Sequence, residues 1–272
     1  MFYQNNLQMK NNKHIERNEQ SATKIFDNRS LQVDYRTLEP ILKKGMSILD
    51  VGCGTGSISK DVANIVGDKG KVLGIDNTLK FIESGRRTYH ETGNLELRHV
   101  DLFDFETEQK FDLIISARTL QWLRNPKDAL AKMKSLLKPG GSISILDYNH
   151  NRIEWVPEPP KSMKEFYSIF LKWRNDAGMN NGIADDLPEL MRAIGLVDVV
   201  KINSDEHYQK HRVDFNSKVG IWSKVASSKQ MVDEGYLDDN LRLKAIEEYD
   251  DWLENSAISM TMKLNEVRGK TN

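Results

Sequence analysis

The sequence predicts an α/β fold: a doubly wound, mostly parallel sheet with an inserted helical lid. Three observations carry that prediction. Short apolar runs at 46–51, 71–76 and 111–117 read as buried strands. Between them lie segments with apolar residues at helical spacing, first Ile58, Val62, Ile65 and Val66, then Leu79 and Ile82. The first run enters a glycine turn, Gly52-Cys53-Gly54-Thr55-Gly56, followed directly by a helix. Strand, glycine turn and helix together aim backbone N–H groups at a ligand. Strands that alternate with helices in this way form a parallel sheet.

Composition sets the bounds. At 272 residues the chain can hold one large α/β domain and a smaller appendage. A net charge of −1 gives no global electrostatic case for nucleic acid or an anionic membrane. No apolar run approaches the roughly 18 residues of a membrane span, and residues 1–20 lack the apolar core of a signal peptide. One cysteine excludes an intrachain disulfide and points to the cytoplasm. Cys53 sits inside the turn, where a small residue is needed. The histidines (His14, His90, His99, His150, His207, His211) lack ligand spacing, so no metal is expected.

The remaining elements follow in order. Residues 21–42 offer an apolar face (Ile25, Phe26, Leu31, Val33, Tyr35, Leu38) and read as one or two helices stopped by Lys43-Lys44-Gly45. A third strand covers 94–100, with Asp104 expected to cap the turn after it. Pro126 opens an amphipathic helix with Ala129, Leu130, Met133 and Leu136, and Lys138-Pro139-Gly140-Gly141 stops it. The fifth strand is 142–147 and a long loop covers 148–160. Ser162 and Glu165 form a capping box for the next helix. Its face (Met163, Phe166, Tyr167, Phe170, Trp173) is a stripe more often found in cores. With little sheet left to cover, it is expected to cap the ligand crevice. A helix at 187–194 precedes the sixth strand at 196–202. Helices near 219–225 and from 239 intervene before a closing strand at 257–267.

The glycine turn departs from the dinucleotide fingerprint G-x-G-x-x-G/A. Position 57 is Ser and the third glycine comes early, at Gly56. Twenty residues past Gly56, the second strand ends in Asp76, whose carboxylate would accept hydrogen bonds from ribose hydroxyls. The site suits a nucleoside and makes less provision for a pyrophosphate. The run Asp-Val-Gly-Cys-Gly-Thr-Gly followed by Gly-Ile-Asp resembles the first motif and acidic loop of class I S-adenosylmethionine-dependent methyltransferases. The resemblance covers 46–147. It implies a Rossmann-like methyltransferase fold with a seven-stranded sheet closed by a hairpin of its last two strands, and S-adenosyl-L-methionine as cofactor. The implied organisation is a flexible N-terminus (1–20), a cofactor-binding half (21–150), a lid insertion (151–183) and a completion of the sheet (184–213). A second helical insertion (214–256) and a closing strand (257–272) follow.

The resemblance also implies a site. Asp50, Gly52, Gly54, Gly56, Asn77 and Ala117 would line the cofactor, with Asp76 on the ribose, Asp101 on the adenine amino group and Leu102 against the ring. From the leading helix, Arg29, Tyr35 and Arg36 would reach the cofactor carboxylate. Residues after the fourth strand face the crevice in open α/β sheets. Arg118, Gln121 and Trp122, with Trp155 and Trp173 from the lid, are the expected acceptor contacts. The Leu-Gln-Trp triplet is similar to this loop in small-molecule methyltransferases. Arg118, Asp147 and His150 are the catalytic candidates, the last two as bases at the end of the fifth strand. Arg118, His150 and Arg152 place positive charge at one mouth, which suits methylation on an oxygen of an acidic metabolite. Two other readings stay open: a nicotinamide-dependent oxidoreductase, and a non-catalytic cofactor-binding protein.

Overall fold

The computed structural model describes residues 13, 15 and 29–272. The polar tail expected over 1–20 lies outside the described residues apart from Lys13 and Ile15, as do Ile25 and Phe26. Of the span 21–42 expected to be helical, the described part (29–42) holds one turn of helix, α1 (Leu31–Asp34), and a 3-10 turn at Glu39–Ile41. Ser30 caps α1, its side chain accepting from the Val33 N–H.

The first half alternates strictly: β1 (Ser47–Val51), α2 (Ser57–Val66), β2 (Lys71–Asp76), α3 (Leu79–Thr88), β3 (Leu95–His99), β4 (Phe111–Ala117) and α4 (Pro126–Ser135). Strands β1, β2, β3, β4 and β5 (Leu137–Val156) pair in parallel. Then come α5 (Lys161–Asp176), α6 (Ile183–Ala193), β6 (Val197–Asn203), β7 (Glu206–Gln209), α7 (Phe215–Val219), α8 (Ile221–Ala226), α9 (Gln230–Asp233), α10 (Asp239–Asn255) and β8 (Ser259–Lys270). The sheet order is β3-β2-β1-β4-β5-β8-β6, and β7 also pairs with β8. The closing strand β8 is antiparallel to its three partners.

The sheet has eight strands where seven are expected. β6 and β7 lie end to end along β8, β6 against residues 265–270 and β7 against 259–262. Glu206 and Tyr208 thereby become sheet residues. The fifth strand is also longer than 142–147. Residues 148–156, expected as loop, continue β5 through a bulge between Asn149 and Glu154, because β8 extends far enough to pair Trp155 with Met260. The capping box is absent: Pro160 is the N-cap of α5, and the Ser162 hydroxyl donates to Glu248 Oε2 at 2.5 Å. The turn after β3 is capped by Asp101 and not by Asp104, since Asp101 Oδ1 accepts the Phe103 N–H at 2.9 Å.

Two apolar clusters flank the sheet. The larger contains α2, α5, α8 and α10 and takes in Phe166, Tyr167, Phe170, Trp173 and Trp222. The helical insertions therefore complete the main core, with α5 and α10 packed on one another. Tyr35 also belongs to this core. It is 1% exposed and its hydroxyl pairs with Ser144 Oγ at 2.8 Å. Arg36 is exposed on the surface.

Candidate active site

The site is built at the carboxyl ends of β1, β2, β3 and β4. Gly52, Gly54 and Gly56 have φ of 73°, 59° and 82°, which residues with a Cβ rarely adopt. At Gly52 a Cβ would also sit 2.2 Å from Thr119 Oγ1. The turn's own hydrogen bonds hold it closed. Gly52 and Cys53 donate to Ile75 O, Gly56 donates to Cys53 O, and Gly54 donates to Asp76 Oδ2 at 2.9 Å. The other Asp76 oxygen accepts the Thr78 N–H at 2.8 Å. Asp76 thus braces the turn and the loop after β2, and its carboxylate keeps further lone pairs for a ligand. These N–H groups are spent internally, so the turn has few left to cradle a pyrophosphate.

A cavity of ≈ 20 Å³ lies against the turn, lined by Arg29, Asp50, Gly52, Cys53, Ser57, Ile58 and Ala117. Arg29, which sequence reasoning grouped with Tyr35 and Arg36, is the arginine of the three that reaches this cleft. Its backbone carbonyl accepts from the Ser57 hydroxyl. Burial pushes the Asp50 carboxyl up to about 7; its hydrogen bond from Ser59 Oγ (2.6 Å) opposes this and nearby Asp76 adds to it. At the other end Asn77 Nδ2 donates to Asp101 Oδ2 at 3.4 Å, and Leu102 is buried beside them. The glycines, the small Ala117 and carboxylates at the ends of three successive strands suit a nucleoside with a short polar tail.

Next to this cleft is a polar cluster that sequence reasoning largely missed. Arg118 follows β4 with φ 59° and is 5% exposed. Its Nε donates to the Tyr148 hydroxyl at 2.8 Å, and its Nη2 bonds Glu206 Oε1 on β7 and lies 3.9 Å from Asp34 Oδ1 on α1. Tyr208 donates to Glu206 Oε2 at 2.7 Å, and Lys218 of α7 is 3.3 Å from Asp34 Oδ1. Burial disfavours the Arg118 charge, but Tyr148, Glu206 and Asp34 outweigh it and hold the guanidinium protonated. Burial pushes Tyr148 up to about 12. The pattern Glu206-x-Tyr208, two residues apart on one strand face, was the available signal.

The expected bases are placed differently. Asp147 is fully buried and both oxygens are engaged, Oδ2 by the Gln121 N–H (3.0 Å) and Oδ1 by the Tyr148 N–H (2.9 Å). Burial raises its carboxyl to about 6. With both oxygens taken by backbone N–H groups, it braces the loop after β4. His150 is walled in by Tyr148, Phe170 and Trp222. Its Nε2 meets Gln121 Oε1 at 2.6 Å, and burial, then Arg174, hold it well below the usual histidine range, hence neutral. Arg152 is exposed and 3.6 Å from Asp185. The positive mouth expected from Arg118, His150 and Arg152 is therefore not assembled.

The acceptor candidates also divide. Gln121 is 2% exposed and links His150 to Arg174, a fully buried cation stacked 4.5 Å over the Trp122 ring. Trp155 donates to the Tyr249 hydroxyl at 3.2 Å and packs on Tyr167 and Trp222. Trp173, further along α5, donates to Glu234 Oε2 at 2.7 Å and stacks on Phe170, so it belongs to the helical packing and not to the crevice. Among the described residues no group of three or more His, Cys, Asp and Glu could hold a metal ion, and no helix is long and apolar enough to cross a membrane.

The sequence profile of the family described as "Methyltransferase domain" matches residues 42–210, from the approach to β1 through β7. The chain belongs to the methyltransferase domain family. A demethylmenaquinone methyltransferase of Staphylococcus saprophyticus is 33% identical over 137 residues, covering 48% of this chain and 54% of that protein. The chain spans about a third to a half of the length of the first curated relatives it matches. The fold is similar to that of a putative methyltransferase from Bacillus halodurans (TM-score 0.56, 16% identity, 87% of this chain and 98% of that one). It is also similar to Haemonchus contortus phosphoethanolamine N-methyltransferase 2, solved with S-adenosyl-L-methionine (TM-score 0.55, 16% identity, 88% of this chain and 52% of that one). At these identities the likeness is one of fold.

Proposed function

We propose that this protein is an S-adenosyl-L-methionine-dependent methyltransferase acting on a small-molecule acceptor. The observation that carries the reading is the turn of three left-handed glycines tied to Asp76, with Asp101 one strand further out. Asp76 would take the ribose hydroxyls, Asp101 the adenine amino group, and Asp50 and Arg29 the amino acid end. The internal use of the turn's N–H groups disfavours a dinucleotide, and the early Gly56 agrees with that. The cofactor, when bound, supplies an activated methyl group.

The protein's own contribution is orientation and exclusion of water, which can contribute roughly 7–11 kcal/mol. Arg118, Tyr148, Glu206 and Tyr208 form a rigid polar wall that would fix the acceptor. The aromatic packing of Trp155, Tyr167, Phe170 and Trp222 would keep water from it. Residues 21–150 would hold the cofactor, and the segments 151–183 and 214–256, packed into the main core, would form fixed walls on the acceptor side. The free Cys53 is consistent with a cytoplasmic location, and the net charge of −1 with a small-molecule partner and no nucleic acid. Incubation with methyl-labelled S-adenosyl-L-methionine and a panel of phenols, organic acids and amines tests the activity. Label transfer to at least one acceptor class is expected; binding of the cofactor with no transfer to any would leave a cofactor-binding protein without this activity.

A further inference from the structure

We propose that the Nη1 edge of Arg118 is a preorganised receptor for an anionic oxygen of the methyl acceptor, such as a carboxylate. The proposal rests on the methyltransferase reading above and names the acceptor class for that site. Arg118 is held from two sides, by the Tyr148 hydroxyl at Nε and by Glu206 at Nη2. Its Nη1 is buried and has no hydrogen-bond partner among the described residues. A charged N–H withdrawn from water and left unpaired is costly, and a fold retains it where a ligand completes it.

Glu206 cannot turn to serve Nη1. Its two oxygens already accept from Arg118, Tyr208 (2.7 Å) and Tyr148 (3.4 Å). Asp34 is shared with Lys218 and stands 3.9 Å from Nη2. The place is also right. Arg118 is the next residue after Ala117, which lines the cleft, and Arg29, which also lines it, is close enough for the two positive charges to repel. The left-handed backbone at Arg118 (φ 59°), just past the end of β4, is uncommon for a long side chain and marks a constrained position. An ammonium would be repelled here, and a neutral oxygen would leave the charge uncompensated. A fixed guanidinium edge fits an anionic oxygen.

A carboxylate could come from the acceptor or from the cofactor's own amino acid end, and the test separates them. Benzoate and benzamide serve as the charged probe and its neutral near-isostere, titrated into the protein with and without S-adenosylhomocysteine. In the wild type benzoate should bind about tenfold more tightly than benzamide. Arg118→Met should abolish that preference and leave S-adenosylhomocysteine affinity within about threefold. Arg118→Lys keeps a charge against Glu206 and Asp34 and so preserves folding where the methionine variant does not. It lacks the fixed edge, and should lose about tenfold in benzoate affinity. No preference in the wild type, or a preference retained in Arg118→Met or undiminished in Arg118→Lys, overturns the proposal. So does a loss of S-adenosylhomocysteine binding that parallels the loss of preference, which would assign the donor to the cofactor. A wild type that does not bind S-adenosylhomocysteine sinks the methyltransferase reading instead, while the probe preference in the ligand-free protein still decides this one.

Discussion

Replacing Asp76 with alanine separates two roles that the structure joins in one carboxylate. Asp76 accepts the Gly54 N–H at 2.9 Å and the Thr78 N–H at 2.8 Å, so the variant loses two part-buried backbone bonds. At about 1 kcal/mol each this is about 2 kcal/mol of stability. In a protein of this size that corresponds to a melting temperature lower by about 4–8 °C. The ribose contacts come on top of it. A charge-assisted hydrogen bond contributes about 1.5–3 kcal/mol, so the Kd for S-adenosylmethionine should rise by about 10- to 150-fold. Calorimetric titration and thermal unfolding on the same preparations read the two effects separately. Asp76→Asn keeps one oxygen acceptor and should recover about half of the stability loss while binding stays weak. A melting temperature that falls by the expected amount with a Kd within twofold of the wild type would confine Asp76 to bracing the turn, and would refute its ribose role.

Two further outcomes follow from burial. The Asp50 carboxyl, raised to about 7 in the fold, contributes stability that is fully present below its unfolded value of 3.8 and lost as the pH rises through about 7. Asp50→Asn should therefore gain stability over wild type at pH 8 relative to pH 4, by up to about 4 kcal/mol, and denaturant melts at the two pH values measure the difference. The α5 amides should exchange as slowly as those of the central strands, since Met163, Phe166 and Trp173 are buried in the main core. Exchange at the rate of exposed loops would instead make α5 a mobile lid.

What was legible in the sequence was local. The glycine turn shows because left-handed backbone demands glycine, and Asp76 and Asp101 show because strand ends place them by spacing. Alternating strand and helix patterns gave the parallel half of the sheet. Long-range pairing was not legible. Arg118 meets Glu206 from 88 positions away, and Lys218 meets Asp34 from 184 away. Nothing in either local stretch marks its partner. The extra length of β5 depends on β8, more than a hundred residues later, offering edge positions to Glu154–Val156. Tyr35 and Trp173 look like site residues by type, but the turn just after α1 and the register of α5 bury them in the core. His150 and Asp147 sit where bases were expected, at the end of a central strand, yet burial among aromatic rings and backbone donors gives them structural work.

The central claim is that the cleft at the glycine turn is a nucleoside site for S-adenosylmethionine. Parallel titrations of the wild-type protein with S-adenosylmethionine, S-adenosylhomocysteine and NAD test it most directly. The expected result is micromolar binding of the first two, with NAD weaker by about a hundredfold or more. Binding of NAD as tightly as S-adenosylmethionine, or no binding of either sulfur nucleoside, would contradict it.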